Sequence, residues 1–132
     1  MRALVTDDSR AMRRIITGML AEHGLATAEA GHGHEALELL ETHGVGGADG
    51  FDLICIDWNM PVMDGLALVG AIRARREWRD VTMMMITSES EHHQVVRALA
   101  AGAHEYLTKP FTAEQLRDKL TLLGLTGHGE RA

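Results

Sequence analysis

Four strand-like segments of this chain end in groups that can do chemistry: Asp7-Asp8, Asp57, Thr87-Ser88 and Thr108-Lys109-Pro110. Read singly, each has a plain structural role. Asp8-Ser9 can cap a helix and complement its positive end. Asp57, just before Trp58-Asn59-Met60-Pro61, can open a turn, and Lys109 before a proline can be a solvated loop residue. Read together they pose an electrostatic problem. Carboxylates ~5 Å apart at an effective dielectric of ~20 repel by about 3 kcal/mol per pair, roughly two pKa units, so a positive charge must compensate. A hard divalent cation with oxygen ligands does this, and Mg²⁺ suits a site with few carboxylates because it keeps several waters and pairs with phosphoryl oxygens. Lys109 supplies a second positive charge. Such a set serves phosphoryl transfer, which needs positioning and charge neutralisation around an in-line nucleophile. A carboxylate can be that nucleophile and form an acyl phosphate. Asp57 fits the part, since it follows a fully apolar approach, while the adjacent Asp7 and Asp8 are better placed for the metal.

The elements that must bring these groups together are legible in the hydrophobic pattern. Phe51 to Ile56 and Val81 to Ile86 are apolar with almost no period-2 alternation, as expected of strands buried on both faces of a parallel sheet. Met12, Ile15, Ile16, Met19 and Leu20 share one helical face, as do Ala113, Leu116, Leu120 and Leu123. Weaker helices are predicted over 33–43, 65–76 and 91–101, and weaker strands over 3–6, 25–29 and 104–108. Strand then helix, five times, predicts right-handed crossovers and a doubly wound α/β sheet. In such a sheet ligands bind beyond the carboxyl ends of the strands, where the four chemical groups lie. Gly44-Val45-Gly46-Gly47 reads as a loop, and residues 124–132 as a tail that frays.

Composition narrows the rest. The 132 residues, 45% apolar and 24% charged, fit one globular domain with its own core. A net charge of −6 argues against nucleic acid as the main ligand. The lone Cys55 excludes an internal disulfide and suits a reducing compartment. No apolar run approaches the ~20 residues that span a bilayer, and the first residues lack a signal-peptide core, so the cytoplasm is expected.

The motifs resemble, in order, those of the receiver domain of bacterial two-component response regulators, over roughly residues 2–123. They are Leu4-Val5-Thr6-Asp7-Asp8-Ser9, Ile56-Asp57-Trp58-Asn59-Met60-Pro61-Val62-Met63-Asp64-Gly65, Ile86-Thr87-Ser88, and Gly102 through Phe111 around Lys109. The resemblance implies a flavodoxin-like sheet of order 2-1-3-4-5, the order shared by flavodoxin and CheY. It further implies that Asp57 accepts a phosphoryl group from a histidine kinase, with Lys109 and Thr87 completing the chemistry. Asp8, Asp57 and the Asn59 carbonyl would bind Mg²⁺ directly, Asp7 largely through water, and the Lys109–Pro110 bond would be cis. Thr87 and Tyr106 would form the switch between two pre-existing states, with the last two helices as output face.

Several details are similar to the stand-alone, CheY-like chemotaxis regulators: the single-domain length, Asp57-Trp58-Asn59-Met60-Pro61, Ala11-Met12-Arg13-Arg14-Ile15, Tyr106, and Asn59 with Glu89 at the two positions that tune phosphoryl lifetime. Ser88 stands where alanine is more usual, and the loop over 44–50 is longer than typical. These features imply a monomer that signals by protein contact, a flagellar motor switch protein being one candidate partner, and that catalyses only its own phosphorylation and dephosphorylation. A phosphorelay intermediate is the alternative within the family. From another class comes a flavin-binding module, against which the Thr6-Asp7-Asp8-Ser9 turn would repel a phosphate, and an aspartyl-phosphate hydrolase would want Asp-x-Asp at that turn. Gly31-His32-Gly33-His34-Glu35-Ala36 fits a dinucleotide fingerprint but follows the second strand. His32/His34 and His92-His93 read as solvated, Met83-Met84-Met85 as strand core, and Arg73, Arg75, Arg76 and Arg79 as cations at a helix end.

Overall fold

The structure, a computed structural model, describes residues 1–125. Five parallel strands, β1 (Arg2–Thr6), β2 (Ala26–Ala30), β3 (Leu53–Ile56), β4 (Thr82–Thr87) and β5 (Glu105–Thr108), lie in the order β2-β1-β3-β4-β5. Between and after them run α1 (Arg10–Glu22), α2 (Gly33–His43), α3 (Gly65–Arg73), α4 (His92–Ala101) and α5 (Ala113–Leu122). This is the doubly wound, flavodoxin-like arrangement expected from the motifs.

The apolar runs lack alternation because alternate residues enter two different cores. Ala3, Val5, Leu53, Cys55, Met84 and Ile86 pack with Ile16 and Leu20 of α1 and Leu116 and Leu120 of α5. Leu4, Ile54, Ile56, Met83 and Met85 face the other way, toward Leu40 of α2, Leu68 and Ile72 of α3 and Ala98 of α4. Each fully buried Leu, Ile or Met contributes about 1.5–3 kcal/mol relative to exposure, which holds the central strands between two helical layers. Edge strand β2 is different: Ala26 and Glu29 are exposed, so its sequence signal is weak.

Two local findings depart from the expected boundaries. The third helix stops at Arg73 instead of reaching residue 76, because Arg75 turns to extended backbone (φ −99°, ψ 118°). A single 3₁₀ turn, Arg76–Trp78, then delivers Trp78 into the core, with the Arg75 guanidinium 4.0 Å from its ring centroid. Arg73 donates to the carbonyls of Arg79 and Val81 (2.9 Å each) and of Gly102 (3.3 Å), stapling three segments. Gly102 has φ +131°, and a Cβ there would lie 2.4 Å from Arg73 Cγ, so only glycine allows the staple. Finally, packing continues past residue 123: the Leu125 N–H donates to the Leu120 carbonyl (2.9 Å) and its side chain joins the α1–α5 core. The remainder of the expected tail, 126–132, lies outside the described residues.

Candidate functional site

Backbone ladders carry the acidic groups to one rim. The Asp7 N–H donates to the Ala30 carbonyl (3.1 Å) and the Asp57 N–H to the Thr6 carbonyl (3.0 Å), so pairing runs one residue beyond the ends of β1 and β3. The Lys109 N–H donates to the Thr87 carbonyl (2.9 Å), doing the same for β5 beside β4. Strand β1 is flanked by β2 on one side and β3 on the other, so the direction of strand order reverses there, and a sheet of this kind opens a crevice at that point. Gly65 lets the returning loop close against Asp57: a Cβ there would meet the Asp57 carbonyl oxygen at 2.3 Å. Within that loop Val62, exposed and at φ +71°, centres a three-residue turn closed by the Met63 N–H on the Pro61 carbonyl (2.7 Å), a conformation that strains a β-branched residue.

One carboxylate oxygen from each of Asp7, Asp8 and Asp57 lies within 4.8 Å of the others. The three differ in surroundings. Asp7 is buried, accepting from the Ser9 N–H (2.8 Å) through Oδ1 and from Lys109 Nζ (2.7 Å) through Oδ2. Asp8 is exposed, and Ser9 rather than Asp8 caps α1, its Oγ accepting from the Met12 N–H (3.2 Å). Asp57 is buried, 3.7 Å from Lys109 Nζ. Burial pushes the Asp57 carboxyl above its ordinary value and the charges of Asp7 and Asp8 add to this, while the Thr87 side chain and Lys109 pull it back. One ammonium therefore serves two buried carboxylates, with a third at the surface. An all-oxygen donor set with this excess negative charge fits a hard divalent cation. Among the described residues it is also the one such cluster of His, Cys, Asp or Glu side chains.

Around this acidic pocket the remaining predicted residues also meet. Thr87 is fully buried, and its Oγ1 accepts from the Glu89 N–H (3.3 Å). Asn59 Nδ2 donates to Glu89 Oε2 (2.5 Å), and the half-buried Tyr106 donates its hydroxyl to the Glu89 carbonyl (2.5 Å). The Lys109–Pro110 bond is cis. One participant was not among the predicted residues: Gln94 Nε2 donates to Glu89 Oε1 (2.8 Å). The Asn59 and Gln94 amides together hold Glu89 below the usual carboxylate range. Gln94 sits in the first turn of α4, where no motif singles it out and only the path of the β4–α4 loop brings it to Glu89.

Arg13 Nη1 donates to the Asp7 carbonyl (2.6 Å) at the edge of the site, whereas His32, His92, His93 and Arg75 take no part in it. His32 is the N-cap of α2, its Nδ1 accepting from the Glu35 N–H (3.2 Å) while Glu35 accepts from the Gly31 N–H (2.7 Å). His92 and His93 are exposed. Arg75 is paired with Glu41 and Glu77.

Comparison with known proteins agrees with this geometry. Residues 3–121 match the family model of the response regulator receiver domain. The chain belongs to that family. It is 41% identical over its whole length to a chemotaxis protein CheY homolog of Campylobacter jejuni, covering 98% of that protein. It is 44% identical to chemotaxis protein CheY1 of Helicobacter pylori, over 93% of this chain and 96% of the relative. Among solved structures, the Vibrio cholerae chemotaxis protein CheY4 superposes with a TM-score of 0.81 at 31% identity, over 92% of this chain and 96% of the other. This receiver is thus homologous to the CheY chemotaxis response regulators. Among the described residues no helix is long and apolar enough to cross a membrane.

Proposed function

We propose that this receiver takes a phosphoryl group onto Asp57 from a histidine kinase and signals through protein contacts that depend on that modification. The observation that carries the proposal is the convergence of Asp7, Asp8, Asp57 and Lys109 on one rim, with Asp57 buried and short of positive charge. An Asp57 carboxylate oxygen attacks phosphorus in line. The new O–P bond forms as the bond to the donor nitrogen breaks, and the donor imidazole keeps the electron pair. Asp8, Asp57 and the Asn59 carbonyl would hold Mg²⁺, with Asp7 acting through water, and the ion would supply neutralisation of the phosphoryl oxygens. Lys109 Nζ, already 3.7 Å from Asp57 Oδ2, is within reach of a phosphoryl oxygen after a small shift from Asp7.

The output follows from the same groups. The Thr87 hydroxyl, freed from the Glu89 N–H, donates to the new phosphoryl group, and Tyr106 on β5 reads the resulting β4–α4 loop position through its bond to the Glu89 carbonyl. The relatives' chemotaxis names make a flagellar switch protein the first candidate partner, with a monomeric, cytoplasmic regulator as the working state. Chemistry on outside substrates has no place in this reading.

Acetyl phosphate with Mg²⁺, followed by intact mass measurement, tests it. The wild type gains one phosphoryl group and Asp57→Ala gains none. Equal labelling of both, or no labelling of the wild type, overturns the assignment.

A further inference from the structure

Glu89 is tied at four points, and the fourth is unexpected. Its N–H and carbonyl engage Thr87 and Tyr106, one carboxylate oxygen takes the Asn59 amide, and the other takes Gln94 Nε2 at 2.8 Å. The carboxylate thereby bridges the loop that follows Asp57 to the first turn of α4, next to Thr87. The Gln94 amide can serve this contact in one orientation alone. Turned over, it would set its oxygen against a carboxylate oxygen, acceptor facing acceptor. In the orientation it holds, its Oε1 is buried without a partner among the described residues. A buried acceptor left unsatisfied is uncommon and calls for a reason. The other half of the amide, Nε2, goes to Glu89.

We propose that Gln94 is a positioning residue for the phosphoacceptor site, one that fixes the Glu89 carboxylate between two amides and so limits the access of water to phosphorylated Asp57. The inference rests on the phosphoacceptor reading above and adds to it a control on how long the modification lasts. In the hydrolysis concerned, a water oxygen bonds to phosphorus as the bond to the Asp57 oxygen breaks. Asp57 recovers the electron pair, inorganic phosphate leaves, and the water proton passes to solvent. With both carboxylate oxygens anchored, Glu89 and Asn59 form one braced unit that ties the loop after Asp57 to the residues after Thr87. With the Gln94 donor removed, Glu89 keeps a single side-chain tether and swings away, and water reaches the phosphoryl group more often.

The test is the decay of the phosphorylated protein. Wild type, Gln94→Met (similar bulk, no donor) and Gln94→Glu (a like charge against Glu89) are labelled with acetyl phosphate and Mg²⁺ and freed of donor. Loss of the 57-linked phosphoryl group is then followed by intact mass. Decay is expected to speed about 3-fold in Gln94→Met and up to about 10-fold in Gln94→Glu, and the differences are expected to vanish when each change is made in a Glu89→Ala background. That last readout separates positioning of Glu89 from general loosening of α4, as does a thermal midpoint for each variant. A common decay rate for all labelled proteins, slower decay in the variants, or the same acceleration without Glu89 overturns the role of Gln94. A wild type that takes up no phosphoryl group overturns the phosphoacceptor reading itself and the Gln94 role with it.

Discussion

Replacing Asp57 by asparagine should make the metal-free protein more stable, although it removes the group on which the function depends. The size of the effect follows from the site's charges. The nearest oxygens of Asp7 and Asp8 lie within 4.8 Å of Asp57, and at an effective dielectric of ~20 each repels it by about 3 kcal/mol. Lys109, at 3.7 Å, returns about 4 kcal/mol. Asp8 is exposed, so solvent weakens its share and leaves less than about 2 kcal/mol against the charged form, to which burial adds in the same direction. Asp57→Asn keeps the shape and loses the charge. Urea denaturation in EDTA near pH 7 should show it about 1–2 kcal/mol more stable than wild type, with a thermal midpoint about 3–8 °C higher. The sign of the pH dependence is fixed by the raised pKa of Asp57. The folded protein binds that proton more readily than the unfolded chain, so the wild type gains stability relative to the variant as pH falls through the folded pKa, and the advantage of the variant shrinks there. Saturating Mg²⁺ reverses the ranking: a free concentration 100 times the dissociation constant stabilises a binding-competent protein by about 2.7 kcal/mol, and D57N should gain much less. A D57N protein that is equally or less stable in EDTA would refute the claim that this rim holds uncompensated negative charge.

Other consequences of the structure are as specific. Arg73→Ala removes donors to three backbone carbonyls in two loops and should cost about 2–4 kcal/mol in denaturant unfolding, with Arg73→Lys restoring little because one ammonium cannot span the set. Burial pushes the Cys55 thiol up to about 12, so a thiol reagent at pH 8 should leave the native protein unmodified and label it stoichiometrically in denaturant; rapid native labelling would show that β3 opens readily. Thr87→Ala should still accept a phosphoryl group on Asp57 yet lose the phosphorylation-dependent rise in partner affinity, measured by titration with and without acetyl phosphate; a rise that persists would remove the hydroxyl from the switch.

What could be read from the residues, and what could not, divides along a physical line. The central strands were legible because burial on both faces forces continuous apolar runs, and α1 and α5 because each buries one stripe. The cluster of Asp7, Asp57, Thr87 and Lys109 was legible because these residues end or directly follow strands, and strand order then brings them to one rim. Contacts set by the path of a loop left no such trace. Arg73 finds carbonyls up to 29 residues away, helix α3 ends where Trp78 needs the chain to turn, and Gln94 meets Glu89 across the turn that leads into α4. Nor does sequence divide the work between Asp7 and Asp8. Adjacent residues leaving a strand point in opposite directions. Asp7 thus turns inward to Lys109 at 2.7 Å, while Asp8 meets solvent. Because Lys109 stands a full ångström nearer Asp7 than Asp57, its charge is largely engaged elsewhere, and Asp57 is left as the buried carboxylate whose charge the protein's own cations satisfy least. That imbalance gives both a cation and an incoming phosphoryl group their reason to bind at Asp57.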